Sequence, residues 1–401
     1  MMNNLFEEAK KYGDEMVSAR RHFHRNPELH VDLPLTADYV MGKLTEYGYK
    51  PEQICKSGIV ALAGGKKPGK TFLIRGDMDA LPIKEETDLE FRSTNGNMHA
   101  CGHDMHTAMM LGAARLLKDH EDEIEGTVKL MFQPGEETLS GAKLMMESGV
   151  LENPSVDKAM MIHVASGFPL KSGAVVFLDK GPVTANVDIF EIKVQGKGGH
   201  GATPDTAIDP LNVLAHIHIA LAEINSREVV AGEVAVLTIG EMHGGKAPNI
   251  IPDTAYMKGT IRSYSKEVRT LMNKRLEEIS KGIASTFRCT ASVESKGCPC
   301  VENDKELFDS AMRYTTEMLG QEYVADIEKM TGKGMKLSGS EDFGFLSAHV
   351  PTLMLGLSAS VFKDGVAYPQ HHPKVVFDES VLPVGAAVYA NIAIEWLKEH
   401  K

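Results

Sequence analysis

The stretch TVKLMFQPGEE, residues 127–137, contains the pattern on which the predicted fold rests. Its first half is a short, largely apolar run of the length of a buried strand, and a Pro-Gly pair ends that run directly before two glutamates. Similar runs at 71–74 and 158–162 also end in polar side chains, and a helical pattern at 105–118 separates the first two runs. This alternation predicts an α/β layered domain, in which ligands bind at the carboxyl ends of the strands.

The alternation changes after about residue 186. The order becomes β-α-β-β-α-β, which predicts a ferredoxin-like unit. The connection 243–252 is rich in Gly, Asn and Pro and is predicted to be a loop. The predicted strands of this unit are 187–194, 233–240, 255–264 and 290–296, and its predicted helices are 209–227 and 265–287.

Helices and strands alternate again after about residue 296. We therefore predict a small dimerisation or lid domain, 186–296, inserted into a catalytic domain that is discontinuous in sequence, 1–185 and 297–401. The remaining predicted elements are an amphipathic helix at 4–24, a helix at 305–319, a strand at 352–357 and a closing helix at 378–400.

Composition and charge narrow the class of protein. With 401 residues, 43% of them apolar, the chain is long enough for two folded domains. A net charge of −12 disfavours nucleic acid and anionic lipid as partners, which leaves a small-molecule substrate. The five cysteines are too few for a disulfide scaffold, and the first residues lack the pattern of a signal peptide. We therefore expect a cytoplasmic protein.

The segment HACGHDMH, residues 99–106, is the densest group of possible metal ligands. Cys101 and His103 stand two positions apart, so both side chains can face the same ion. His99, Asp104 and His106 can orient the ligands instead of binding metal. The same segment also fits an ordinary helix N-terminus with histidines satisfied by the backbone.

The adjacent carboxylates Glu136 and Glu137 suit a division of labour. One can bind metal while the other accepts a proton from the attacking water. A solvated acidic loop has the same sequence pattern. His163 and His371, taken singly, also fit a core histidine and a surface loop, but all of these residues follow predicted strands or lie in loops of the α/β part.

The order of motifs along the chain resembles that of the metallopeptidase M20 family. Within it, the chain is most similar to the amidohydrolase subfamily, which includes hippurate hydrolases, N-acyl-amino-acid aminohydrolases and plant auxin-conjugate hydrolases. The resemblance covers essentially the whole chain and implies a mixed-sheet, zinc-peptidase-like catalytic domain. The matching segments are 20–29, 75–82, 98–107, 132–137, 196–204, 244–252, 259–262, 339–343 and 371–373.

The resemblance implies a role for each residue of the predicted centre. Glu136 is then the general base, and two divalent ions per subunit are held by Cys101, His103, Glu137, His163 and His371. His371 is preferred over His372 because the subfamily pattern is His, one residue, then Pro. Other M20 branches have a His-x-Asp ligand motif where this chain has Asp77-Met78-Asp79, so Asp79 is expected to support the site without binding metal.

The predicted inserted domain supplies further candidates by resemblance. His200 is expected to stabilise the charge on the substrate oxygen from the inserted domain of a partner subunit in a homodimer. The glycines around it allow close approach to a ligand. Asn249 and Arg262 are candidates to bind the substrate carboxylate, although Arg262 also fits an ordinary surface position.

The predicted reaction is hydrolysis of the amide bond of N-acetyl, N-benzoyl or similar L-amino acids. A dipeptidase or aminopeptidase of the same fold is one alternative, and a closed structural zinc site with Cys298 and Cys300 is another. The residue types do not select one metal ion, because cysteine favours zinc, whereas imidazole and carboxylate also accept manganese, cobalt or nickel.

Overall fold

The computed structural model describes residues 5–363 and 365–401. Its backbone contacts divide the chain into two units. Unit 1 comprises the described residues up to Val183, together with Val301–Lys336 and the described part of Glu341–Lys401. Unit 2 comprises Thr184–Cys300 and Leu337–Ser340.

Helices and strands are distributed along both units. The helices are α1 Leu5–Lys11, α2 Gly13–Arg25, α3 Pro34–Glu46, α4 His103–Asp119, α5 Gly141–Glu147, α6 Pro210–Glu223, α7 Lys266–Thr286, α8 Lys305–Leu319, α9 Ile327–Thr331, α10 Gly344–Ser347 and α11 Leu382–Glu399. The strands are β1 Glu52–Cys55, β2 Gly58–Gly64, β3 Thr71–Asp77, β4 Thr127–Gln133, β5 Lys158–Ala165, β6 Val175–Phe177, β7 Gly181–Pro182, β8 Asn186–Gln195, β9 Gly199–His200, β10 Ala235–Gly244, β11 Ile250–Ile251, β12 Thr254–Ser263, β13 Thr290–Cys298, β14 Glu302–Asn303, β15 Val324–Asp326 and β16 Thr352–Ser358.

A mixed sheet forms the centre of unit 1. Its strand order is β1-β2-β4-β3-β5-β16-β14-β7, with β6 beside β16 and β15 beside β6. The central strands β4, β3, β5 and β16 are parallel, and all residues of β3 and β16 are buried. Their carboxyl ends therefore meet at one edge of the sheet, as the sequence predicted.

Helices α4 and α11 pack closely together in the core of unit 1. A Cβ atom on Gly112 of α4 would lie 3.0 Å from the Cβ of Ala386 on α11 and 2.2 Å from the sulfur of Met16. The segment Glu379–Glu399 is long and apolar enough to cross a membrane, but 89% of its most apolar window is buried inside the protein. Its apolar composition is accounted for by this packing.

Unit 2 has the predicted β-α-β-β-α-β order. The main strands form an antiparallel sheet of order β10-β12-β8-β13, the ferredoxin-like arrangement, and α6 and α7 cover one face. The prediction that 243–252 is entirely loop was wrong. β10 continues to Gly244, and Ile250–Ile251 form a strand because they pair with Gly199–His200.

Several other predicted bounds differ from the structure. The predicted helix at 4–24 is two helices, because Tyr12 leaves the helical conformation at φ −97° and ψ 7°; Asn4 lies outside the described residues. The helix predicted at 209–227 ends at Glu223, and a π-helical turn follows to Glu228. The elements that we did not predict include α3, α5, α9, β1, β2 and β6.

Candidate metal centre

The candidate ligands stand where the central parallel strands end. Glu136 and Glu137 follow β4, and His163 lies near the end of β5. Gly102 places Cys101 and His103 at the start of α4: its φ is 94°, and a Cβ there would lie 2.4 Å from Cγ2 of Val164.

His371 completes the group from a distant part of the chain. Its backbone is in the left-handed region, with φ 64°, and its amide donates to Ala100 O at 2.9 Å. This hydrogen bond ties the loop before α11 to the segment that carries Cys101. A non-glycine residue in this conformation is uncommon, and residues in sparsely populated conformations cluster at functional sites.

The structure brings the five predicted ligands and Glu136 together. His371 Nε2 lies 3.3 Å from Cys101 Sγ and 3.7 Å from Glu137 Oε1. Cys101 Sγ is 3.6 Å from His163 Nε2, and His103 Nε2 is 3.9 Å from Glu137 Oε1 and 4.0 Å from Glu136 Oε2. Overlapping groups of these residues have all their candidate ligand atoms within 4.8 Å of one another.

Backbone carbonyls orient two of the imidazole rings. His103 Nδ1 donates to Asp79 O at 2.8 Å, and His163 Nδ1 donates to Val164 O at 2.7 Å. Because a carbonyl can only accept, each neutral ring carries its proton on Nδ1 and keeps a lone pair on Nε2. The lone pair of each ring therefore faces the cluster, as metal binding requires.

Asp79 holds the glutamate pair. Its carboxylate oxygens accept hydrogen bonds from the backbone amides of Glu136 and Glu137 at 2.9 and 3.1 Å. Gly135 turns the chain before the pair with a φ of 68°. This supporting position is the one that we expected for Asp79 from the sequence.

Arg75 is the centre of a buried charge network beside the ligands, and sequence reasoning assigned it no role. Its guanidinium contacts the carboxylates of Asp77, Glu341 and Asp342 at 2.8 to 2.9 Å. Glu341 and Asp342 each have a carboxylate oxygen within 4.8 Å of one on Glu136. The segments 75–82 and 339–343 were noted as motifs, which was the available signal.

The carboxyl groups of the site favour their protonated forms in the metal-free chain. Burial, followed by the charges of Glu341 and Asp342, raises the pKa of Glu136 well above its usual value. Burial raises the pKa of Glu137 to about 7, and nearby His103 only partly offsets this effect. Asp77 and Cys101 in turn raise the pKa of His103 above its usual value, against the effect of burial.

The residues fit divalent cations. His103 Nε2 and Glu137 Oε1 are buried and have no hydrogen-bond partner among residues 5–363 and 365–401, although such groups normally find one in a folded protein. One thiol, three imidazoles and one carboxylate form a donor set suited to zinc and to other first-row divalent metals. A bound cation would satisfy both atoms and favour the ionised forms of the carboxyl groups.

Two further residues of the 99–106 segment contact charged partners. Asp104 accepts from Arg20 Nε and from His24 Nδ1, both at 2.8 Å. His106 lies between Asp77 and the backbone of β5. His99 is buried, and no hydrogen bond to its ring nitrogens occurs within the described residues.

The remaining predicted site residues belong to unit 2. His200 on β9 is exposed and pairs with Ile250 on β11, one position from Asn249. Arg262 on β12 donates to Ser340 Oγ at 3.0 Å and to Ser338 O at 3.3 Å. Neither Cys298 nor Cys300 belongs to a potential metal-binding group of the described residues, which removes the support for a structural zinc site there.

Comparison with known proteins identifies the class. The chain matches the model of peptidase family M20/M25/M40 over residues 73–395. It is 36% identical to thermostable carboxypeptidase 2 of Saccharolobus solfataricus, and the match covers 99% of both chains. It is 35% identical to hippurate hydrolase of Campylobacter jejuni, and the match covers 98% of this chain and 100% of that protein. It is 32% identical to N-acetylcysteine deacetylase of Bacillus subtilis, and the match covers 96% of this chain and 97% of that protein.

Solved structures agree with this result. A crystal structure from methicillin-resistant Staphylococcus aureus has a TM-score of 0.91 at 33% identity, over 99% of this chain and 100% of that chain. A Bacillus subtilis dinuclear metal-binding peptidase of the M20 family has a TM-score of 0.79 at 30% identity, over 97% of this chain and 99% of that chain. The chain is thus a hydrolase with a metal-binding site. It belongs to the peptidase family M20/M25/M40.

Proposed function

We propose that this enzyme hydrolyses the amide bond of N-acyl L-amino acids, with acetyl, benzoyl or a similar acyl group. The products are a carboxylate and a free amino acid. One observation carries the proposal: Asp79 holds Glu136 and Glu137 side by side near His103, with Glu137 toward His371 and Glu136 toward Glu341 and Asp342. The similarity to a hippurate hydrolase and an N-acetylcysteine deacetylase supports this substrate class.

The five predicted ligands would hold two divalent ions, zinc, manganese, cobalt or nickel. When bound, these ions supply Lewis-acid polarisation of the substrate carbonyl and favour loss of a proton from the attacking water. Glu136 accepts that proton on a carboxylate oxygen and delivers it to the leaving nitrogen. Burial raises the pKa of Glu136 in the metal-free chain, and bound cations would favour the ionised form that a base requires.

His200 is proposed to stabilise the charge that develops on the carbonyl oxygen. The backbone amide of Ala202 donates to His200 Nδ1 at 3.0 Å, so the neutral ring carries its proton on Nε2. That proton can be donated to a substrate oxygen. We propose that the ring acts in the active site of a partner subunit.

A homodimer formed through the inserted domain, 186–296, is part of this proposal. In unit 2, β10 lies at one edge of its sheet and exposes Val236 and Met242, and β8 exposes Ile189. Exposed apolar side chains on sheet strands are common at interfaces. Asn249 and Arg262 of this domain would bind the substrate carboxylate, which a guanidinium matches in geometry.

We also propose a cytoplasmic location. None of the five cysteines forms a disulfide within the described residues, which suits a reducing compartment. Cell fractionation with an antibody against the chain would test this. Recovery with the secreted proteins would contradict it.

A peptidase activity is the second candidate, because the chain is as similar to a thermostable carboxypeptidase as to a hippurate hydrolase. Both reactions release an amino acid with a free carboxylate, so they differ in the acyl side. The test is a panel of N-acetyl and N-benzoyl amino acids, N-blocked dipeptides and free dipeptides, each assayed with each metal restored. We expect the simple N-acyl amino acids to have the highest kcat/KM. A preference for free dipeptides would favour a dipeptidase or aminopeptidase, and a preference for blocked dipeptides would favour a carboxypeptidase.

A further inference from the structure

The central sheet of unit 1 divides just before the metal centre. Strands β3 and β5 pair only as far as Arg75 and Met161. Both strands continue beyond this point with other neighbours: β3 runs along β4 to Asp77, and β5 runs along β16 to Ala165. The backbone groups that face each other across the gap therefore need other partners.

A tyrosine hydroxyl bridges the first position of the gap. Tyr389 of α11 donates to Arg75 O at 2.8 Å and accepts from the amide of Ile162 at 2.7 Å. One hydroxyl thus replaces a backbone hydrogen bond between the strands. The strands remain connected while their separation increases.

An imidazole bridges the next position. The backbone amide of Val164 donates to His106 Nε2 at 2.9 Å, and His106 Nδ1 lies 2.5 Å from Asp77 Oδ1. An amide can only donate, so Nε2 has the lone pair and the neutral ring carries its proton on Nδ1. That proton is donated to Asp77. Hydrogen bonding therefore fixes both the tautomer and the plane of the ring.

This bridge acts on the peptide group next to a predicted ligand. The amide of Val164 belongs to the peptide bond that follows His163, and the His106 and His163 rings meet edge to face, with centroids 4.6 Å apart. Helix α4, which carries His106, packs closely on β3: a Cβ on Gly76 would lie 3.3 Å from His106 O. Strand and helix leave His106 little freedom to move.

We propose that His106 is a positioning residue that holds the two strands apart and fixes His163 for metal binding. Its lone pair on Nε2 orients the His163–Val164 peptide, and its proton on Nδ1 anchors the ring to Asp77. The inference rests on the proposed metal-dependent function and assigns one more residue to it. Asp77, His103 and His106 also form a potential metal-binding group, but both ring nitrogens of His106 are engaged in these hydrogen bonds, which leaves no lone pair for a metal ion.

Substitution of His106 by glutamine or by asparagine separates its two hydrogen bonds, because each amide side chain can keep only one of them. A glutamine amide oxygen can reach the position of Nε2 and accept from Val164, whereas an asparagine amide reaches the position of Nδ1 and contacts only Asp77. We expect His106→Gln to bind two metal ions with affinities near those of the wild type. We expect His106→Asn and His106→Leu to bind one ion about tenfold or more weakly. His120→Gln, at the far end of α4, is the control for a histidine change outside the site.

Calorimetric titration of the metal-free proteins with zinc and with manganese would measure these affinities. Equal affinities in the Gln and Asn variants, or an unchanged affinity in His106→Leu, would overturn the proposal. Nitrogen NMR of the metal-free wild type, with labelled histidine assigned through His106→Gln or His106→Leu, provides a second measurement that needs no active variant. A proton on Nδ1 supports the assignment, and a proton on Nε2 refutes it. If metal binding and tautomer are as expected but no N-acyl amino acid is cleaved, the proposed function fails and the role of His106 stands.

Discussion

The carboxylate of Asp79 accepts a hydrogen bond from the backbone amide of Glu136, and its second oxygen accepts from the next amide along the chain. A side chain from the end of β3 thereby fixes the turn that follows β4. Asp79 adds a side-chain anchor to a turn that is also held by backbone hydrogen bonds from Leu139 N to Glu136 O at 2.7 Å and from Gly141 N to Gly135 O at 3.0 Å.

Replacing Asp79 should disturb the site without removing a metal ligand. In Asp79→Asn the amide nitrogen faces one of the two backbone N–H groups, which loses its acceptor. We expect the free energy of unfolding of the metal-free protein to fall by about 1–3 kcal/mol and kcat to fall with it. Urea unfolding and steady-state kinetics would measure both. The exposed Asp205→Asn is the control, and an Asp79→Asn variant that matches it would refute this role.

The adjacent glutamates should respond differently to the same substitution. Glu136→Gln removes the proton carrier and should keep both metals while kcat falls by about 10²–10⁴-fold. Glu137→Gln removes a predicted ligand and should lose metal. Metal analysis after dialysis, together with kinetics, makes each variant the control for the other. Equal metal loss in both variants, or an active Glu136→Gln, would show that the roles are misassigned.

Cys101 should be protected from alkylation by bound metal. As a thiolate ligand its sulfur donates electron density to the cation and is a weaker nucleophile, and chelation would release it. We expect slow labelling in the loaded enzyme and faster labelling after chelation, measured by peptide mapping. Cys55, Cys289, Cys298 and Cys300 are internal controls. Equal labelling of Cys101 in both states would exclude it as a ligand.

Local patterns indicated candidate ligands, and the resemblance to the M20 family singled out the five residues that the structure brings together with Glu136. Cys101 and His103 lie two positions apart, and Glu136 and Glu137 directly follow a recognisable strand. The role of Arg75 could not be predicted in the same way. Its partners Glu341 and Asp342 lie 266 and 267 positions away, and only the folded chain brings them together.

The missed secondary structure has a similar cause. The residues of β1 are exposed or half-buried and show no apolar alternation, so that strand is defined by its pairing with β2. Strand β11 lies in a Gly- and Pro-rich connection and forms because β9 is beside it. Local patterns do not contain such pairings.

A surface ion pair far from the metal centre should make stability depend on pH. His120 Nε2 lies 2.7 Å from Glu8 Oε2. Burial alone would lower the pKa of His120, but Glu8 and then Glu123 raise it overall. A raised folded-state pKa means that the pair stabilises the protein below the unfolded pKa, about 6.5, and that this contribution is lost as pH rises through the folded pKa.

Glu8→Gln should therefore be destabilising mainly at low pH. We expect a loss of up to about 1 kcal/mol in the free energy of unfolding at pH 6, which decreases toward pH 9. Urea unfolding of the wild type and of Glu8→Gln across this range would measure it. Glu7→Gln, on the same helix, is the control. A difference that stays constant from pH 6 to pH 9 would contradict the proposed charge on His120.

The final prediction concerns His200, which we propose acts on the neighbouring subunit. All predicted metal ligands belong to unit 1, whereas His200 belongs to unit 2. His200→Ala should keep both metals and lose about 10²–10³-fold in kcat, because only a donor to the substrate oxygen is removed. Metal analysis and kinetics of this variant would establish the loss, but they do not show which subunit the histidine serves.

Subunit exchange between His200→Ala and Glu136→Gln decides this point. If His200 acts in trans, each mixed dimer has one site with both lesions and one site with neither, so an equal, random mixture should recover up to about a quarter of wild-type activity. If it acts in cis, both sites of every mixed dimer carry one lesion and mixing restores nothing. Native mass spectrometry of the mixture, with one variant isotopically labelled, shows whether exchange has occurred. Absence of recovery after demonstrated exchange would reject the trans assignment and would leave the roles of Glu136 and the metal ligands unaffected.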